Sequence, residues 1–312
     1  MIEVKNLTKN YGATRALDAV SFTIPTGEVL GFLGPNGAGK TTAMKIITCF
    51  MPPTDGQVLI DDLDAQEHSL EVRRKIGYLP ENNPLYTDMN VLDYLTFVQR
   101  LRAVPASEHA PRSRRMVELC GLGDVVRKDI GELSKGYRQR VGLAQAMIHD
   151  PEILILDEPT VGLDPNQIAE IRALIKELGR AKTLLLCTHI LPEVEATCDR
   201  VLIINRGRIV ADGTPDSLRA AARGQERLFV EVKGPSDQVR LALERLPGAT
   251  LVTIPEGPAG EDGTQRFVIE TAGGNDLRAA VFVLVRDRQW ILLELRREAV
   301  RLEDVFRQLT AG

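Results

Sequence analysis

The sequence predicts an α/β layered domain over residues 1–220, followed by a small α+β domain over residues 226–312. Three observations carry this expectation. Short apolar runs alternate with longer helical patterns through roughly the first 220 residues. A glycine-rich segment, Gly34 to Thr41, joins an apolar run to a helical pattern. Around Ala220 to Gln225 the texture changes, and a second series of shorter elements begins. A length of 312 residues agrees with about two domains at roughly 150 residues each.

Taken in order, Val29 to Leu33 reads as a buried strand, and Gly39 to Phe50 continues as a helix with Met44, Ile47 and Met51 on one face. Asn90 to Arg102 reads as a second helix. Asn90 is its N-cap with Asp93 three residues on, and Leu92, Leu95, Val98 and Leu101 form its stripe. Ile153 to Leu156 and Thr183 to Thr188 are further apolar strands, and Val201 to Asp212 reads as a hairpin turning at Asn205-Arg206-Gly207. Beyond the change in texture, Leu228 to Lys233 reads as a strand, Asp237 to Leu246 as a helix, and Thr250 to Ile254 and Arg266 to Glu270 as strands. Asn275 to Arg286 is a helix, Ile291 to Leu295 a strand and Leu302 to Leu309 a last helix. The order βαββαβ plus a trailing helix is ferredoxin-like, with Gly257 to Gly263 as a flexible loop between its middle strands. No tandem repeat or heptad run is present.

Composition excludes several classes. Thirty-nine basic against 43 acidic side chains give a net charge of -4, with 44% hydrophobic and 26% charged residues. That is ordinary globular composition, not a disordered chain or a basic nucleic-acid coat, so no nucleic-acid partner is expected. Cys49, Cys120, Cys187 and Cys198 form no CxxC pair and no Cys/His cluster, so they read as isolated thiols in a reducing compartment. The N-terminus has no basic start followed by an apolar stretch, and no signal peptide is expected. The longest apolar runs fall far below the roughly 20 residues of a membrane span.

Two motifs carry chemistry. Gly34-Pro35-Asn36-Gly37-Ala38-Gly39-Lys40-Thr41 fits G-x-x-x-x-G-K-[ST], a P-loop. Its glycines let backbone N–H groups turn inward onto phosphate oxygens, and the following helix N-terminus adds positive partial charge. Lys40 is placed to reach the β- and γ-phosphates of a nucleotide, and the Thr41 hydroxyl to ligate Mg²⁺. Later, Ile153-Leu154-Ile155-Leu156-Asp157-Glu158-Pro159-Thr160 puts two carboxylates at the end of an apolar strand, where α/β sheets bind ligands. Asp157 suits a metal, and Glu158 suits a base toward an attacking water.

Between the two lies Leu133-Ser134-Lys135-Gly136-Tyr137-Arg138-Gln139-Arg140, and here the sequence resembles the ABC transporter ATPases. The family signature is L-S-G-G-Q; this chain keeps Leu133, Ser134 and Gly136 but has Lys135 and Tyr137 at the other places. Tyr11, the Gly162-Leu163-Asp164-Pro165 turn and Thr188-His189 follow the family order, and the likeness covers about residues 1–215. Ile76-Gly77-Tyr78-Leu79-Pro80-Glu81 and the Leu302-Glu303-Asp304-Val305-Phe306 tail are similar to exporter ATPases of the drug-export and gliding-motility groups.

The resemblance implies a P-loop NTPase fold of the ABC ATPase type with a helical subdomain at about 82–145. It implies ATP and Mg²⁺ at Tyr11, Gly34, Pro35, Asn36, Gly37, Ala38, Gly39, Lys40, Thr41, Thr42 and Glu81, with Thr41, Asp157 and Glu81 toward the metal. Tyr11 would stack on adenine, and His189 would hold Glu158 and the water in register. It further implies head-to-tail pairing of two copies or of related chains, in which Ser134, Lys135, Gly136, Tyr137 and Asp164 meet the nucleotide held by the partner. Separate integral membrane subunits are the other implied partner, with the chain cytoplasmic and peripheral on the inner face of the membrane. Glu81 stands where the family usually has glutamine; a carboxylate there is still a metal ligand but adds charge. Leu85, Tyr86 and Met89 suit either a groove for a membrane subunit's helix or the core. The open alternatives are a soluble ATPase acting on ribosomes or DNA and a slow ATP-binding regulator. The second domain reads as a dimerisation or regulatory module, with ligand sensing as the other possibility.

Overall fold

The computed structural model describes residues 1–221, 225–254, 264–272, 276–298 and 302–310. Two compact units divide the chain, Met1–Pro215 and Asp216–Ala311. In chain order the first holds β1 (Ile2–Tyr11), β2 (Thr14–Ile24), β3 (Val29–Leu33), α1 (Lys40–Ile47), β4 (Asp55–Ile60), β5 (Leu63–Asp64), α2 (Ser69–Lys75) and β6 (Ile76–Leu79). It continues with α3 (Val91–Leu101), α4 (Ala106–Leu119), α5 (Lys135–Met147), β7 (Ile153–Asp157), α6 (Pro165–Gly179), β8 (Thr183–Thr188), α7 (Leu191–Thr197), β9 (Arg200–Asn205) and β10 (Arg208–Gly213).

The central sheet runs β10-β9-β3-β8-β7-β6, parallel except for the β10 edge. Every residue of β3, β7 and β8 is buried, as parallel strands covered on both faces must be. A second, antiparallel sheet runs β2-β1-β4-β5. Alternation along the sequence does not reveal it, because β1 and β2 are only partly buried and broken by register shifts. One core cluster joins the two sheets and α1: Ile2, Val4 and Ile60 from the antiparallel sheet meet Phe32, Ile155 and Leu185 of the central one, with Met44 and Ile47 among them.

Two helical expectations need correction. The first helix ends at Ile47, not Phe50, because Cys49 takes a left-handed φ of 58°. Its N–H donates to the Ile46 carbonyl and that of Phe50 to Lys45, a Schellman closure made without glycine. Met51 therefore lies beyond the helix, packed against the core. The α3 stripe is Val91, Tyr94, Leu95 and Val98, while Leu92 and Leu101 are exposed. Polar contacts fix that face: Tyr94 Oη donates to Gln145 Oε1 of α5 at 2.6 Å, and Gln99 Nε2 to Ser113 Oγ of α4 at 2.9 Å. The Asn90 cap is present, its side chain accepting from Asp93 N–H at 2.9 Å. The β9–β10 hairpin also forms, with Arg206 and Gly207 both at positive φ.

The second unit holds β11 (Gln225–Lys233), α9 (Ser236–Glu244), β12 (Ala249–Thr253), β13 (Thr264–Ala272), α10 (Arg278–Asp287), β14 (Ile291–Glu298) and α11 (Leu302–Thr310), with α8 (Pro215–Ala221) beginning at the division. Its sheet runs β12-β13-β11-β14, antiparallel throughout. Leu228, Val230, Val232, Phe267 and Ile269 pack against Val239 and Leu243 of α9 and Val281 and Val285 of α10. The expected loop Gly257–Gly263, the helix start at Asn275 and part of the Ala220–Gln225 transition lie outside the described residues. The four cysteines are free thiols, and no helix among the described residues is long and apolar enough to cross a membrane.

Removing the α3 cap should be felt as stability alone. Asn90→Ala is expected to destabilise the first unit by about 1 kcal/mol, seen as a lower midpoint in denaturant unfolding with nucleotide affinity unchanged.

Candidate functional site

Parallel register brings the chemistry together. Leu33 at the end of β3 pairs with Thr188 at the end of β8, and Asp157 at the end of β7 pairs with Cys187. Leu79 of β6 pairs with Leu156 of β7. The segments after β3, β6, β7 and β8 therefore leave one sheet edge side by side. One cleft there, of about 420 Å³, is lined by Asn36, Gly37, Gly39, Lys40, Thr41, Thr42, Glu81, Glu158 and His189, with Ala16 and Val161 as two residues that sequence patterning did not single out.

The glycine-rich loop is built for close approach. A Cβ at Gly34 would stand 2.5 Å from the Ile204 carbonyl oxygen, and one at Gly39 2.6 Å from that of Ala16. Gly39 also holds φ 108° as the residue before α1, a conformation that side chains resist. Lys40 is 7% exposed, and its ammonium donates to the loop's own carbonyls, Gly34 at 2.8 Å and Pro35 at 3.3 Å. Ala38, within the loop, is buried.

The two carboxylates differ. Asp157 is fully buried, and among the described residues neither of its oxygens accepts a hydrogen bond from a nitrogen or oxygen donor. Burial pushes its carboxyl above the ordinary aspartate range; the Glu158 and Glu81 charges push the same way, while the Cys187 thiol and Lys40 pull back. Burial and then the Asp157 charge hold the Cys187 thiol well above its usual range, and Tyr78 is raised by the same two causes. Glu158 sits at φ 51°, which turns the chain out of β7 while its N–H still donates to the Cys187 carbonyl at 2.8 Å. A non-glycine residue held there costs about 1–2 kcal/mol. Its side chain, in a residue only 5% exposed, places Oε1 2.8 Å from His189 Nδ1. Because a carboxylate only accepts, that ring nitrogen carries the hydrogen.

Behind this pair lies a polar group of residues that the sequence did not suggest. Thr188 Oγ1 is 3.4 Å from Glu158 Oε2 and 3.2 Å from Glu193 Oε2. Thr160 Oγ1 donates to Glu193 Oε1, and Arg172 Nη2 lies 4.0 Å from that same oxygen. Burial raises the Glu193 carboxyl above the ordinary range, partly offset by the two threonines and then Arg172.

Other sequence-predicted residues lie elsewhere. Tyr11 is 47% exposed, does not line the cleft, and its hydroxyl meets Met51 Sδ at 3.1 Å. Ser134 caps α5, its Oγ accepting from Tyr137 N–H at 3.4 Å. Gly136 packs so closely on Gln167 that a Cβ would come within 2.5 Å of that side chain. The Lys135 side chain lies along Gly162 of the same chain. Asp164 caps α6 in a capping box with Gln167, next to Pro165. Tyr137 and Asp164 line a second cleft with Arg140 and Glu170. Leu85 and Met89 are half-buried, and the exposed Tyr86 stands edge-on to Phe97 at 5.3 Å.

Known proteins are similar to this chain in sequence and fold. Residues 17–161 fit the ABC transporter family model. A daunorubicin resistance ATP-binding protein, DrrA3 of Streptomyces coeruleorubidus, is 34% identical over 99% of this chain and 95% of its own length. The chain belongs to the ABC transporter ATP-binding family. It is an ABC-type ATPase with the P-loop α/β fold. YbhF of Escherichia coli K12, a probable multidrug ABC transporter ATP-binding protein, is 37% identical over 73% of this chain, which spans only 39% of that relative's length. Among solved structures, the ATP-binding cassette MJ0796, dimeric and bound to ADP and phosphate in a post-hydrolysis state, has a TM-score of 0.64 and 28% identity over 69% of this chain and 98% of its own. An ATP-binding subunit of an ABC transporter has a TM-score of 0.66 and 31% identity over 71% of this chain and 93% of its own.

A buried, unpartnered carboxylate opposes folding wherever it is charged. Asp157→Asn, which keeps the shape and removes the charge, is therefore expected to raise the thermal midpoint of the nucleotide-free, metal-free chain at neutral pH. The same variant should lose most of the further rise that magnesium and ATP give the parent, both read by differential scanning fluorimetry.

Proposed function

We propose that this chain powers an ABC exporter by binding and hydrolysing ATP between two copies paired head to tail under separate membrane subunits. The observation that carries the reading is the Glu158–His189 pair lining one cleft with Lys40, Thr41 and Glu81. Glu158 accepts a proton from the attacking water as its oxygen bonds to the γ-phosphorus and the bond to the β-phosphate oxygen breaks. His189 orients the carboxylate and reaches the γ-phosphate. Lys40 exchanges the Gly34 and Pro35 carbonyls for phosphate oxygens, backbone N–H groups of residues 34–39 cradle them, and Thr42 borders the same phosphates. Tyr11, exposed beside the loop that follows α1, offers its ring to adenine.

The residues fit a magnesium ion. Asp157, buried at the end of β7 next to the cleft-lining Glu158, has two oxygens without a nitrogen or oxygen donor among the described residues, and Thr41 and Glu81 line the cleft. No group of three or more His, Cys, Asp or Glu among the described residues forms a cage, which suits an ion that takes most of its ligands from phosphate and water. When bound, the ion would neutralise charge on the phosphate oxygens. Ser134, Lys135, Gly136, Tyr137 and Asp164 form the surface offered to the partner's nucleotide; Lys135 must leave Gly162 to reach it. The dimeric cassette among the structural neighbours and the drug-resistance relatives support pairing and export, and with them a cytoplasmic place on the inner face of the membrane. The 1–220 and 226–312 division, with helices α3 to α5 as the helical subdomain, is part of this reading. So is a ferredoxin-like second domain in a pairing or regulatory role, supported by its β12-β13-β11-β14 order.

Glu158→Gln should bind ATP, form a dimer in magnesium and ATP by analytical ultracentrifugation, and hydrolyse at least about 100-fold more slowly; wild-type turnover would remove Glu158 from the role of base. Lys40→Ala should lose nucleotide affinity in a direct binding titration, and an unchanged dissociation constant would count against the cradle.

A further inference from the structure

Among the described residues Glu193 is the least accessible carboxylate after Asp157, only 1% exposed, and it stands one layer behind the reacting groups on α7. Burying a carboxylate there is costly, and an aliphatic side chain would fill the space without that cost. Its oxygens are divided between two loops. Oε1 takes the hydroxyl of Thr160, two residues after Glu158; Oε2 faces the hydroxyl of Thr188, one residue before His189. Both threonines are fully buried, at 1% and 0% exposure, so neither hydroxyl faces bulk solvent. Arg172 of α6 approaches Oε1 as counter-charge, its own Nε having no hydrogen-bond partner among the described residues.

Thr188 has one hydroxyl proton and two carboxylates in reach, Glu193 at 3.2 Å and Glu158 at 3.4 Å. The Ile190 N–H donates into the same oxygen at 3.1 Å and fixes where it points. The hydroxyl therefore serves one carboxylate at a time, and a charged Glu193 competes for it. With that proton drawn toward Glu193, Glu158 keeps its lone pairs for a water and is held by His189 alone.

We infer that Glu193 is a positioning residue for ATP hydrolysis, clamping the loop after Glu158 to the strand end before His189 through Thr160 and Thr188. This rests on Glu158 as the base. None of Thr160, Thr188 and Glu193 lines the cleft, so the clamp acts on the alignment of Glu158 with His189 and leaves phosphate binding at Lys40 unaffected. A charge-assisted hydrogen-bond pair that orients a reacting group is worth a ten- to hundred-fold effect in rate, about the size of a misplacement of 1 Å.

The test compares Glu193→Gln, which keeps polar partners for both threonines, with Glu193→Met, which keeps volume and removes them, in the full chain. Glu193→Met is expected to lower kcat by about ten- to hundred-fold with KM for ATP within about threefold, the pattern of an interaction needed only for the chemical step. Glu193→Gln should recover kcat to within about fivefold of the parent. Combined with Glu158→Gln, Glu193→Met should leave ATP-driven pairing unchanged. Thr160→Val, which cuts the clamp without touching α7, should lower kcat in the same way and add nothing to Glu193→Met; it keeps the proposal testable should Glu193→Met fail to fold. Equal kcat for the Gln and Met variants, or parent kcat in Thr160→Val, while Glu158→Gln is inactive, overturns the positioning role alone. Parent turnover in Glu158→Gln itself overturns the base assignment and the clamp with it.

Discussion

The parallel register of β3, β8 and β7 is the constraint on which the site depends. Strand ends in a parallel sheet are fixed by side chains buried on both faces, and a slip of one residue would turn every one of them to the wrong face. Leu33 opposite Thr188 and Asp157 opposite Cys187 therefore set, to within one residue, where the glycine-rich loop, the two acids and His189 leave the sheet. No loop has to be long to bring them together. The core that joins both sheets around Met44 and Ile47 seats α1, and so Lys40 and Thr41, against the same edge.

Negative charge is concentrated at that edge. Asp157, Glu158, Glu81 and Glu193 converge there, and Lys40 turns its ammonium to loop carbonyls instead of to any of them. Such a cluster is a poor arrangement for folding by itself, and each member is held by the surrounding structure. Glu158 is fixed by its left-handed backbone and His189, Glu193 by two threonines, Asp157 by its pairing with Cys187 of β8. Cations brought to this edge relieve the repulsion, so binding and local stability are coupled by charge.

How much was legible in the sequence follows from how local each signal is. The glycine-rich cradle could be read because closeness at Gly34 and a positive φ at Gly39 tolerate little else, and the Asn90 cap because its partner is three residues away. The end of α1 could not, since Cys49 closes it in a conformation normally signalled by glycine. The α3 stripe shifted by one position because α4 and α5 select the face through Gln99 and Tyr94, and nothing within the helix records them. The antiparallel sheet escaped notice because its bulges break the alternation on which a strand is recognised. Glu193 was invisible for a related reason: its partners lie 33 residues and 5 residues away and meet only once β7 and β8 are paired.

The stretch from Glu158 to Asp164 shows how these parts join. At its start Thr160 is tied to α7 through Glu193; at its end Asp164 is tied to α6 as a cap; in between, Gly162 lies under the Lys135 side chain from the start of α5. Gly136 of the same turn of α5 rests on Gln167, which completes the Asp164 cap. The first turn of α5 and the first turn of α6 are thus in contact through residues with no room to spare. A displacement of the signature segment in this chain must move Gly162 or break the Lys135 contact. With glycine in place of Lys135 that contact would not exist, so the departure from L-S-G-G-Q adds a connection within one chain between the signature and the loop that carries Glu158.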